Sequence, residues 1–118
     1  MFKTCTLCGT TWDNREDFLD DERVALVGYQ ADFTDLKLGY FLFNHECRTT
    51  LSVHAGMFYD LYEGEIFNGS KRGTAECPEY CLHKSDLRPC PAACECAFVR
   101  EIIGIIRDRE RARAAATG

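Results

Sequence analysis

The chain has no long apolar run. Its opening, MFKTCTLCG, lacks a basic start leading into an extended hydrophobic stretch, so neither a secretory signal nor a membrane span is expected. A cytoplasmic location is the default expectation. An excess of base is also missing: 14 Lys and Arg stand against 19 Asp and Glu, for a net charge of -5 and a pI near 5.1. Phosphate affinity depends on a basic surface that releases counterions, so this balance argues against a general nucleic-acid binder. Catalytic signatures are missing too, with no HExxH, GxSxG, phosphate-binding glycine loop or dinucleotide fingerprint. A cysteine paired with His45 or His83 would resemble a catalytic dyad, but metal ligation explains those neighbours more simply. A binding protein is expected rather than an enzyme.

What the chain does have is cysteine, eight in 118 residues. A chain of this length fits one domain that buries roughly two thirds of its unfolded surface, so cysteines need not be its only support. Disulfides belong mainly to oxidising compartments, and nothing here directs export. Reduced thiolates holding a metal are the preferred reading. Charge is uneven: residues 1–68 carry twelve acids and five bases, residues 69–118 seven acids and nine bases. The C-terminal part is therefore the one suited to an acidic partner.

Local pattern sets the elements. After Trp12, Asp13 and Glu16 have capping-box spacing for a short acidic helix through Phe18 and Leu19. VALVGYQA (24–31) and GYFLFN (39–44) read as strands, and TTLSV (49–53) pairs with the latter across a turn. MFYDLYEG (57–64) places Met57, Phe58, Leu61 and Tyr62 at helical spacing as core residues, with Gly64 as a stop. NGSKRGT, from Asn68, is a loop before the cysteine-rich part. From Pro91 onward, Phe98, Ile102, Ile105 and Ile106 form the apolar stripe of a long helix. The mixed charges of RDRERARAAATG then predict a solvated, fraying end.

Two constellations carry chemistry. In the first, Cys5 and Cys8 of TCTLCG form a CxxC pair followed by Gly9, a spacing that turns two thiolates toward one ion. The other half is expected from His45 and Cys47, because Cys8-Gly-Thr-Thr-Trp12 is echoed by Cys47-Arg-Thr-Thr-Leu51. Residues 5–9, and more loosely 44–48, resemble the zinc-ribbon and rubredoxin-type knuckle proteins. That resemblance implies two turns at hairpin tips clasping one ion. The second turn departs from it, being HxC rather than CxxC, so an all-cysteine iron site is not indicated and zinc suits the mixed ligands better. His54, with no cysteine nearby, is read as structural or at the surface.

In the second constellation, CPEYCLH and CPAACEC repeat one another thirteen residues apart and offer Cys77, Cys81, His83, Cys90, Cys94 and Cys96. One zinc on four of these is the preferred arrangement. An iron-sulfur cluster within residues 77–96 is the next, and two zinc ions sharing bridging thiolates the third. Pro78 and Pro91 stiffen the loop beside a ligand in all three. Against joint ligation, Cys94 and Cys96 would point apart if both lay on the long helix, and Cys96 would then be a buried apolar side chain.

The expected fold is α+β: a small antiparallel sheet with a zinc-knuckle site, a Cys-rich metal-binding loop and a long C-terminal helix. It is expected as one domain over 1–118, with a sheet region 1–68, a Cys-rich region 74–98 and the helix over 91–113. The expected role is a regulatory or binding module, holding one or two zinc ions, that meets a protein partner or its own copy through that helix. The alternative is an iron-sulfur redox or electron-transfer protein.

Overall fold

The structure is a computed structural model that describes residues 1–64, 69, 74, 75, 77, 79, 80, 83, 85–90, 94 and 96–117. Its elements follow the expected α+β pattern. A two-residue hairpin opens the chain, β1 (Lys3–Thr4) against β2 (Thr11–Trp12), with Lys3 opposite Trp12. Helix α1 (Arg15–Asp20) follows, then β3 (Val24–Gln30), β4 (Tyr40–His45) and β5 (Thr50–His54) as a three-stranded antiparallel meander. The long helix α2 (Ala97–Thr117) closes the described chain. None of the helices among the described residues is long and apolar enough to cross a membrane.

Alternation in the sheet follows from the pleat, in which successive side chains face opposite ways. In β4, Phe41 and Phe43 point inward and lie opposite Val53 and Leu51 of β5. The β3 register shifts between Leu26 and Gly28, a bulge that leaves Val27 37% exposed while Leu26 and Tyr29 both remain buried. Without the bulge, strict alternation would have turned one of the two outward.

The core is largely aromatic. Phe18 of α1 meets Phe43 edge-on at 4.9 Å and Trp12 at 5.0 Å, and Phe58 lies 5.4 Å from Phe41. Phe58 belongs to residues Ala55–Leu61, expected as an α-helix from 57 but formed as a 3-10 segment. At three residues per turn, Ala55, Phe58 and Leu61 share a face. Ala55 and Phe58 are fully buried and Leu61 partly, whereas Met57 falls on the outer face and is half exposed, not in the core. The expected cap of α1 also moves by one residue: Asn14, not Asp13, accepts the Asp17 N–H at 2.8 Å.

Helix α2 starts at Ala97, later than Pro91, and buries Phe98, Val99, Ile102, Ile103 and Ile106. Ile105 lies at the edge of that stripe, partly buried. One side of the charged end is docked, while Asp108 and Arg111 on the other stay exposed as expected. Arg109 ion-pairs with Glu16 and Asp20 of α1, both at 2.7 Å, and Arg113 donates to the carbonyls of Leu19 and Val24. Glu110 accepts the Leu26 N–H of the edge strand β3, at 3.2 Å, and burial pushes its carboxyl above the usual range. The helix thus straps α1 to the edge strand of the sheet.

Candidate metal centre

Two chain reversals bring the first constellation together. In the β1–β2 turn, the Cys5 N–H donates to Thr10 O and the Gly9 N–H to Cys5 O, each at 2.8 Å. Gly9 sits at φ 80, the left-handed region where a side chain is strained. In the β4–β5 turn, the His45 N–H donates to Thr49 O and the Arg48 N–H to His45 O, each at 2.9 Å. There the left-handed position, φ 73, is held by Arg48. The echo in the sequence is therefore structural: in both turns a cysteine is followed by one left-handed residue and two threonines. The second turn is one residue shorter, which is why its first ligand is two positions from the cysteine instead of three.

The four donor atoms of Cys5, Cys8, His45 and Cys47 all lie within 4.8 Å of one another. The Cys5 and Cys47 sulfurs are 3.5 Å apart, and His45 Nδ1 is 3.1 Å from Cys47 Sγ and 3.7 Å from Cys8 Sγ. A tetrahedral ion with metal–sulfur bonds of ~2.3 Å and a metal–nitrogen bond of ~2.0 Å has edges of about 3.8 and 3.5 Å, so the spacing suits one ion. Cys5 is fully buried and Cys8 is exposed at the tip, so the cluster closes the edge of the core without being sealed inside it.

Surroundings fix the donors. The Thr10 hydroxyl, 3.1 Å from Cys8 Sγ, and the Thr10 backbone N–H lower the Cys8 thiol to about 6. Burial pushes the Cys47 thiol up, opposed by the backbone and side chain of Thr49, the counterpart of Thr10. His45 is 5% exposed, and its ring stands edge-on to Trp12 at 5.3 Å. Its Nε2 is buried without a hydrogen-bond partner. A buried imidazole nitrogen without a partner has a cost. Thr10, Thr49, Arg48 and Trp12 are the neighbours that spacing rules alone did not single out, although CGTT and CRTT carried their signal.

No protein-family model, curated protein or solved structure matches this chain. The site therefore stands on its own geometry.

The second constellation is only partly described. Cys81, Pro78 and Pro91 lie outside the described residues. Cys94 and Cys96 are both buried, and their sulfurs approach to 3.4 Å. Both precede α2, so the helical geometry that would have separated them does not apply. Cys77 accepts the Glu79 N–H at 3.4 Å, Cys90 is partly buried and His83 is exposed. Among the described residues, these five do not bring three donor atoms to one point. His54 has a structural role: Nδ1 lies 3.0 Å from Leu38 O and the ring stacks on Tyr40 at 4.4 Å.

Proposed function

We propose that this protein is a small zinc-stabilised module that acts in regulation through contacts with another protein, in the cytoplasm. The observation that carries the reading is the convergence of three thiols and one imidazole from two separate turns. Four protein ligands complete a tetrahedron and leave no open position for a substrate, so such a centre is structural. Zinc suits the mixed sulfur and nitrogen donors, which an all-thiolate iron site would not include. The apolar stripe of α2 is used on the protein's own core, so the surface available to a partner is the opposite, charged face of that helix.

The test is elemental analysis and visible absorption of protein prepared without air, on the wild type and on Cys5→Ser. Zinc in the wild type, reduced by one equivalent in the variant and without visible bands, is the expected result. Iron with charge-transfer absorption lost in Cys5→Ser would overturn the assignment of zinc. A second reading, an iron-sulfur redox protein, is supported by the 3.4 Å approach of Cys94 and Cys96 in a thiol-rich segment. It predicts iron and inorganic sulfide that persist in Cys5→Ser and disappear in Cys96→Ser.

A further inference from the structure

Apart from the four-residue centre, the feature least explained by folding is a cleft of about 880 Å³ between His83 and residues 85–89 on one side and the outer face of α2 on the other. Its size falls within the ~300–1,000 Å³ typical of small-molecule sites. Four guanidinium groups line it, those of Arg88, Arg100, Arg107 and Arg111, against two carboxylates, Asp86 and Asp108. A surface solvated for its own sake rarely gathers like charges around one concavity, because their repulsion is strongest there.

The walls are built and held. Arg100 is only 3% exposed, and its Nη1 donates to Asp86 O at 2.6 Å and Arg88 O at 3.3 Å, pinning the loop to the helix. Arg88 is fixed in turn by a two-point bond to Asp86, at 2.9 and 2.6 Å, and lies 4.1 Å over the Tyr80 ring. Asp86 is held down to about 2 by Arg88 and so stays a carboxylate. On the helix side, Arg111 pairs with Asp108 at 2.6 Å. None of the described residues hydrogen-bonds or ion-pairs with Arg107, one turn before Arg111 on the same face.

The helix wall gives an independent sign. Gly104 lies inside α2, where glycine costs roughly 1 kcal/mol relative to alanine. Packing does not require it, since a Cβ there would meet nothing within 4 Å. Bare backbone in the wall of an arginine-lined cleft leaves room for a group that approaches the helix closely.

We infer that this cleft binds a phosphate-bearing small molecule of nucleotide size. Arg107 and Arg111 take the phosphate oxygens, which a guanidinium fork matches in pairs. A diphosphate carries enough charge to answer both groups at once, while Asp86 and Asp108 already occupy Arg88 and Arg111 singly and disfavour a lone carboxylate. Leu87, Pro89 and the Gly104 backbone provide the apolar bed for the rest of the ligand. The site shares no residue with the Cys5, Cys8, His45 and Cys47 centre, although His83 of the second constellation lines it.

The test is calorimetric titration of the full, metal-loaded chain with ADP, with inorganic pyrophosphate and with a short single-stranded oligonucleotide, metal content being measured on the same sample. Saturable binding of ADP and pyrophosphate is expected, weakening with salt and weakened at least roughly tenfold by Arg107→Glu. Gly104→Leu should weaken ADP similarly while thermal stability is kept or raised. Absence of ADP and pyrophosphate binding at millimolar concentration would overturn the inference, as would affinity unchanged in both folded variants. Oligonucleotide binding without ADP binding would assign the charge to a nucleic-acid backbone and overturn it equally. In all of these outcomes the metal content reports separately on the zinc reading.

Discussion

Stripping the metal should have a large effect that can be worked out from chain connectivity. Cys5 and Cys47 are 42 residues apart in sequence, so an ion joining them acts as a cross-link across a loop of that size. Closing such a loop removes about 4 kcal/mol of entropy from the unfolded chain, on the model used for disulfides. That is a large part of the 5–15 kcal/mol that holds a typical domain together. For a chain of this length, each kcal/mol shifts Tm by ~4 °C, which sets an expected fall of roughly 16 °C on chelation. Breaking the metal–ligand bonds adds to this figure. The assay is thermal unfolding with and without a strong chelator, with the loss of metal verified by elemental analysis in each sample. A Tm unchanged after verified removal would refute the cross-link reasoning, because no rearrangement of the turns would leave that entropy term in place.

Three further outcomes follow from the same geometry. Arg48→Gly should stabilise the protein by about 1 kcal/mol in denaturant titration, since Arg48 sits at φ 73 where its counterpart is Gly9, whereas Gly9→Ala should destabilise it by a similar amount. Thr10→Ala and Thr49→Ala each remove a hydroxyl directed at a donor sulfur, and each should weaken metal retention about 10-fold in competition with a chromogenic chelator. Arg109→Ala should cost under ~1 kcal/mol at low salt, because its pairs with Glu16 and Asp20 are exposed. Arg109 holds the Glu16 carboxyl below the usual range, so that contribution is present above the unfolded value near pH ~4 and fades as pH falls through the lowered folded value. The difference between wild type and Arg109→Ala should shrink in acid and in high salt.

Elements whose signal is local were legible. Strands β3, β4 and β5 appeared at nearly their observed places because alternating β-branched and aromatic residues report the pleat directly. The two cysteine turns were legible because Cys5–Cys8 and His45–Cys47 have short spacings, and the CGTT/CRTT echo disclosed their kinship. Other features depend on partners distant in sequence. The 55–61 segment had an apolar pattern compatible with two helix types, and packing of Phe58 between Phe41 and Phe43 accompanies the tighter one. The docking of Arg109, Glu110 and Arg113 could not be read from RDRERARAAATG, since mixed charge looks the same whether it faces water or a sheet edge ~90 residues away. Arg48 in a left-handed turn carried no glycine to announce it.

The brevity of β1 and β2 has a consequence during synthesis. Two paired residues on each side cannot persist in water, so the first hairpin depends on tertiary support that is made later. The ribosome must add about forty more residues before His45 and Cys47 exist, which at ~5–20 residues per second is a delay of roughly 2 to 8 s. Throughout that interval Cys5 and Cys8 lack the two donors that the fold later sets beside them. The second pair of donors thus always reaches the first after a delay, and the four can converge only once β4, β5 and the turn between them have formed.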